Sequence, residues 1–286
     1  MVKIQKVLTG FIDIILSLFK VVILSKFKVY IPAQDGDELF ILGNGPSLNF
    51  TLQENLEKLQ SGTTLAVNNF AYSDFFVKIK PSFYVLVAPE YFMSVPPTEN
   101  HIFLRNRLFN ILTTKVTWPI TLFIPTLAEK YPEWKKVLSE NKNIKFQYFN
   151  STPVEGPEWF AHKMFALNLG MPRPHNVLVP SIFVGINMRY KKIFLFGADH
   201  SWHEEIKVSE FNQMTVNHGH FYDKDDQRGK MHKLDGKEFH IHDVFRKLYL
   251  AFKGYFILAS YAKKRGVYIV NASHRSYIDA FERVKI

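Results

Sequence analysis

The sequence predicts an α/β fold: a doubly wound parallel sheet with an inserted lid and an N-terminal amphipathic helix. Three observations lead there. After residue 37 short apolar runs alternate with helical patterns, the residues just past several of those runs are polar or turn-forming, and periodicity fades between Ser201 and Phe239. With 286 residues, 47% hydrophobic and 15% aromatic, the chain can bury a large core. It contains no cysteine, which excludes disulfides, thiolate metal sites and cysteine nucleophiles and is compatible with a reducing cytoplasm. A net charge of +10 calls for an acidic partner: a nucleotide, an anionic sugar or an anionic membrane surface. No run of Arg interleaved with aromatic residues is present, so nucleic acid is not an expected partner.

The first element, within residues 1–30, is apolar from Val7 to Leu24 but carries Asp13 and Lys20 in its middle, both costly at the centre of a bilayer. Advancing by about 100° per residue places Lys6, Thr9, Ser17 and Lys20 within about 40° of Asp13. Phe11, Ile12, Ile14, Ile15, Leu18, Phe19 and Val22 occupy the rest of the cylinder. This reads as a helix lying in the anionic inner leaflet, with Lys3, Lys6, Lys20, Lys26 and Lys28 toward the headgroups, and a cytoplasmic protein held peripherally on the inner membrane. The alternative is a helix docked on the protein's own core. A signal peptide is disfavoured, because the bulky, charged 26–30 segment offers no small-residue cleavage pattern.

The main domain, 37–286, follows. Strands are expected at 39–42, 64–67, 83–88, 120–124, 144–148, 193–196 and 267–270, runs suited to burial on both faces of a parallel sheet. Helices are expected at 52–59, 105–113, 128–139, 159–169, 177–188 and 244–264, the last closed by Gly266 as a C-cap. The polar stretch 200–240 reads as the lid.

Ligands of such sheets bind at the carboxyl ends of the strands. The first of these ends is Gly43-Asn44-Gly45-Pro46-Ser47, where two glycines can take positive φ and bring backbone N–H groups close to a phosphate, and Ser47 adds a hydroxyl before a helix start. Leu48 breaks the dinucleotide fingerprint and no Gly-Lys-Ser/Thr follows, which disfavours ordinary NAD and ATP sites. A plain turn with glycines for geometry remains the other reading. Asn68, Asn69, Pro89, Glu90 and Asp199 stand at further strand ends. Asp199 could orient a sugar hydroxyl or a loop histidine, or simply cap a turn, and Asn176 could cap the next helix or hold a phosphate oxygen.

His200, His203, His218, His220, His232, His240 and His242 cluster in the lid and its borders. Histidine suits proton transfer beside an anionic donor. His242 is the first choice as base because Asp243 opens a long helix and fixes that backbone; His240 is the rival. Phe239-His240-Ile241-His242, if extended, puts both rings on one side, but no third ligand is evident and no metal site is expected. Asp223 and Asp225 have the spacing to share a cation, yet sit in a charged loop that reads as solvated surface. Tyr222 could reach a phosphate from the lid.

These segments resemble, in order over most of 39–283, the small bacterial sialyltransferases of lipooligosaccharide synthesis and the related Maf-type flagellin glycosyltransferases. The residues that carry the resemblance are 42–48, Val67-Asn68-Asn69-Phe70 and 190–199, with His242 near the family's histidine. The resemblance implies a metal-independent, Rossmann-like transferase without cofactor, moving a sialic acid-like sugar from a CMP-linked donor to a surface glycan or lipid-linked acceptor. It implies that Asn44, Gly45, Ser47 and Asn68 hold the nucleotide with Asn176 near the phosphate and that His242 is the catalytic base; the reading of the residues themselves adds Pro46, His200 and Tyr222 on the substrate side and His240 and Asp199 as further catalytic candidates. Ala88 replaces an expected asparagine, and Ser201 or Trp202 stands where a lid tyrosine is expected. The Gly-Asn-Gly-Pro-Ser signature also resembles hydroxymethylpterin diphosphokinase-like proteins, which transfer diphosphate from ATP.

Overall fold

Leu39 and Ile41 face one side of strand β1 (Glu38–Leu42) and Phe40 and Leu42 the other, and all four are buried in separate clusters. A strand covered on both faces must be apolar at every position, which is why alternation is missing from the sequence. β2 (Thr64–Val67), β3 (Phe83–Val85), β4 (Ile120–Pro125) and β6 (Lys192–Phe196) follow the same logic, whereas β5 (Ile144–Phe149) is half-exposed along one edge. The lid holds β7 (Lys207–Val208), β8 (Met214–Asn217) and β9 (Arg228–Gly229), and the chain ends with β10 (Tyr268–Asn271) and β11 (Glu282–Arg283). The computed structural model describes residues 2–217, 219–222, 228–229 and 238–285. His218, His232, Asp223, Lys224 and Asp225 lie outside these residues, as do the side chains of Lys3 and Lys6.

The main sheet has eight strands in the order β11-β10-β6-β1-β2-β3-β4-β5, all parallel. The chain winds outward from β1 to β5 and returns on the other side of β1 as β6, so the winding reverses between β1 and β6. One face is covered by α7 (Glu158–Ala166), α8 (Leu178–Asn187) and α9 (Ile241–Arg265), the other by α2 (Leu48–Glu54), α3 (Leu56–Ser61), α4 (Phe75–Ile79), α5 (Glu99–Lys115) and α6 (Glu133–Leu138). This is the expected doubly wound, Rossmann-like α/β fold with an N-terminal apolar helix, α1 (Val2–Leu24).

Local differences have local causes. The helix expected at 52–59 breaks into α2 and α3 at Asn55, whose φ of −122° is not helical. The one expected at 128–139 is a short 3₁₀ turn, Thr126–Lys130, followed by α6, because Pro132 lacks an N–H and is tolerated only at a helix start. Residues 239–242 are not an extended alternation. The Asp243 carboxylate accepts from the His240 N–H at 3.1 Å and pulls Ile241 and His242 into the first turn of α9. In the lid, Met214 and Val216 join Val244 of α9, with Trp202 and Phe239 alongside, in a small core of its own.

α1 reverses the expected orientation of its polar stripe. Ser17 is fully buried, donating to the Glu155 carbonyl and accepting from the Glu155 N–H, both at 2.9 Å. Lys20 pairs with Glu155 at 3.4 Å and Lys26 pairs with Glu129, so both lysines are engaged with the protein's own carboxylates.

Candidate functional site

The β1 and β6 carboxyl ends press against each other, and that contact explains the glycines. Neither Gly43 nor Gly45 has a positive φ. A Cβ on Gly43 would stand 2.5 Å from the Gly197 carbonyl oxygen, and one on Gly45 would stand 2.5 Å from Asp199 Oδ1. The left-handed residue is Gly197, at φ +60° on the opposing loop. The expected backbone cradle for phosphate is not formed by these residues. The Gly43 N–H donates to the Phe196 carbonyl (2.8 Å), the Gly45 N–H to the Gly197 carbonyl (2.9 Å) and the Ser47 N–H to Asp199 Oδ2 (2.8 Å). Ser47 Oγ donates to Asp199 Oδ1 at 2.5 Å. Asp199 is thus the tie between the two loops. Burial raises its pKa, opposed by the two Ser47 hydrogen bonds.

Beside this joint opens a cavity of about 640 Å³, lined by Asn44, Gly45, Pro46, Ser47, Asn68, Asn176, Asp199 and His200. The sequence places all eight at the site, and the fold brings them together. Asn44 Nδ2 donates to the Val67 carbonyl at 3.1 Å, which fixes the amide so that Oδ1 is the outstanding acceptor. Asn176 is held the other way round. Its Oδ1 accepts from the Leu178 and Val179 N–H groups (2.9 and 3.2 Å), capping α8, and Nδ2 is left as donor. Asn44 Oδ1, Asn68 Oδ1 and Asn176 Nδ2 are buried without a hydrogen-bond partner among the described residues. Asn68 and His200 also hold positive φ, +43° and +53°, an uncommon cost that clusters at binding sites.

His200 is buried, and its Nε2 lies 2.5 Å from Tyr255 Oη, which in turn lies 3.0 Å from Asn176 Oδ1. Asn176 Oδ1 can only accept, so the tyrosine proton points to it and His200 Nε2 carries the proton donated to Tyr255. Nδ1 is then the lone-pair nitrogen. Burial lowers the His200 pKa to about 3 and raises that of Tyr255, so both are neutral near pH 7.

Trp202, Phe50, His220, His274 and Arg275 also line it; Trp202 packs at a tilt against His200 with ring centres 4.4 Å apart, and His274 stacks on Phe50 at 4.8 Å. Arg275 pairs with Glu204. Phe50, His274 and Arg275 have no role in the sequence reading, although β10 lies next to β6 and the strand-end rule applied there points at His274 and Arg275. The lid is strapped to the first loop: the Phe221 N–H donates to the Asn44 carbonyl (3.1 Å) and Asn49 Nδ2 to the Phe221 carbonyl (2.8 Å).

A second cavity of about 830 Å³ shares Asn68, Asn176 and Val177 with the first and adds Ala88, Tyr131, Arg173 and His175. His175 Nε2 is buried without a partner among the described residues, and burial, then Arg173, lowers its pKa. His240, His242 and Tyr222 line neither cavity: His242 is 78% exposed at the start of α9, and Tyr222 stacks behind His220 at 5.0 Å. Among the described residues no three His, Asp or Glu side chains converge as a metal site.

No family model matches the sequence, and no curated protein matches it. Among solved structures, the Maf glycosyltransferase from Magnetospirillum magneticum AMB-1 is similar at 10% identity and a TM-score of 0.49, over 93% of this chain and 37% of that one. The chain therefore spans little more than a third of that protein. The comparisons place it in no family.

Proposed function

We propose that this protein is a glycosyltransferase whose two adjoining cavities hold between them a nucleotide-sugar donor and a glycan or lipid-linked acceptor. One observation carries the reading: three asparagines on a cavity at the reversal of the sheet each leave a buried amide atom unpaired among the described residues, an acceptor on Asn44 and a donor on Asn176 whose orientations are fixed by their other hydrogen bonds, and Asn68 Oδ1 beside them. Unpaired buried amides cost free energy unless a ligand satisfies them, and nucleosides and sugars offer the matching N–H, O–H and carbonyl groups. Among the described residues the lining sets Arg275 against Asp199, Glu204 and Glu205, which suits a donor with a single phosphate better than a triphosphate. A CMP-linked, sialic acid-like donor fits that condition and the resemblance of the first loop.

His220, half-buried in the first cavity, is the proposed acceptor of the hydroxyl proton, with neutral His200 orienting a ligand hydroxyl through Nδ1. A thermal-shift panel of CMP, CDP, UDP, GDP and ATP tests the binding: CMP should raise the melting temperature most, and no response to any nucleotide would remove the proposal. His220→Ala should lower turnover at least about 100-fold while nucleotide affinity stays within a few-fold. The same loss in His240→Ala or His242→Ala, with His220→Ala active, returns the role to the start of α9.

A further inference from the structure

α1 meets the domain along Gly10, Asp13, Ile14, Ser17, Lys20 and Val21, a seam of helical spacing that occupies an arc of about 120°. The seam contains Asp13, Ser17 and Lys20, with the exposed Thr9 at its edge. Ser17 bonds Glu155 in both directions, Gly10 approaches Pro157, and just past the helix Ser25 Oγ contacts Thr152 Oγ1 at 2.7 Å and the Leu169 carbonyl at 2.6 Å. The remaining arc is apolar and faces outward: Phe11 is 62% exposed, Phe19 67% and Val22 67%, with Ile12, Ile15 and Ile23 between them. Helices on water-soluble domains turn the apolar arc to the core. This one does the opposite over Val7–Leu24, a window of mean hydropathy 2.3 that is only 11% buried.

We propose that α1 is a membrane-docking keel: it lies in the plane of an anionic bilayer, its apolar arc in the acyl region, its polar seam bonded to the domain above. The inference does not depend on what the cavities bind. A convex arc around about two-thirds of a cylinder can be covered by lipid, which conforms to it, far better than by a single protein surface. The flank fits the headgroup zone. Trp159, 67% exposed two residues past Pro157, shares a hollow with Lys163, Lys264 and Arg265, a tryptophan with cations suited to an anionic interface. Docking and spanning exclude each other. The seam runs from Gly10 to Val21, about 17 Å of helix, so an α1 standing across the bilayer would drag Glu155, Thr152 and the α7 start into hydrocarbon or lose every one of those contacts.

The chain has no cysteine, so single cysteines report position cleanly. In sealed membrane vesicles from cells expressing full-length Gln5→Cys or Lys28→Cys, a membrane-impermeant maleimide should label both variants in inverted vesicles and neither in right-side-out vesicles. Labelling of the two from opposite sides means a spanning helix and overturns the proposal. With purified protein, flotation on phosphatidylglycerol vesicles should fall at least tenfold in Phe11→Glu/Phe19→Glu while the melting temperature is unchanged. An environment-sensitive fluorophore on Phe19→Cys should shift to the blue on those vesicles. Equal flotation of the double variant, an unshifted fluorophore, or a lipid-free dimer that the two glutamates split would each overturn it.

Discussion

Asp199 ties the loop after β1 to the loop after β6 at the rim of the first cavity. Both oxygens are taken by Ser47, and the Ser47 N–H has no water to turn to, since Ser47 is buried. Asp199→Ala should therefore cost about 2–4 kcal/mol, the sum of two lost hydrogen bonds and a stranded donor. Asp199→Asn, which can still accept from the N–H, should lose less than about 1.5 kcal/mol; urea unfolding of the pair reads the difference. His200 gives the protein an acid sensitivity. Its pKa falls from the usual value near 6.5 to about 3 in the native state, so between those values the unfolded chain binds the extra proton and the native one does not. Stability should be level above about pH 6.5 and decline as pH drops toward 3, by up to ~5 kcal/mol from this group. His162 and His175 are shifted the same way. His200→Gln should flatten the decline without abolishing it, and equal slopes in the two proteins would show that His200 is not buried neutral.

Among the elements, the two central loops are interlocked by backbone contacts as well as by the Asp199 side chain. A methyl on Gly43 meets the Gly197 carbonyl, which cannot step aside without moving β6, so Gly43→Ala should cost roughly 2 kcal/mol or more. Gly254 is the contrast. Lying inside α9, its added Cβ meets only Val179 Cγ2 at 3.4 Å, an ordinary contact, and Gly254→Ala should gain about 0.5–1 kcal/mol from helix propensity. Thermal melts that rank the two alanines in the other order would contradict this account of the glycines. The element scale is also where the sequence was most legible. β2 coincides with its apolar run at 64–67, and β1, β4, β5, β6 and β10 lie within a residue or two of theirs, because burial on both faces leaves few polar positions inside the central strands, whereas the edge strand β5 carries Lys145 and Gln147. β11 escaped notice, since Glu282 and Arg283 pair only through their backbone with β10. The start of α9 was misjudged because a capping interaction between His240 and Asp243 overrides a local alternation of apolar and polar residues.

For the whole molecule, the order of strands decides where chemistry can occur. Asn44, Asn68 and Asn176 come from three widely separated segments and meet only because β1 sits between β2 and β6. Their positions at strand or helix ends were visible in the sequence, since an apolar run that stops at a turn residue marks an end. The sequence by itself determined the α/β class, the buried strands and an apolar helix with a single polar stripe, all consequences of periodicity and burial. Only the tertiary structure decided which way that stripe faces, which amides the loops use up internally, which asparagine atoms are left over, and that His200 rather than His242 lines the cavity. Apart from the local cap that orients Asn176, those outcomes depend on hydrogen-bond partners 23 to 152 residues away, and no local pattern encodes a partner at that distance.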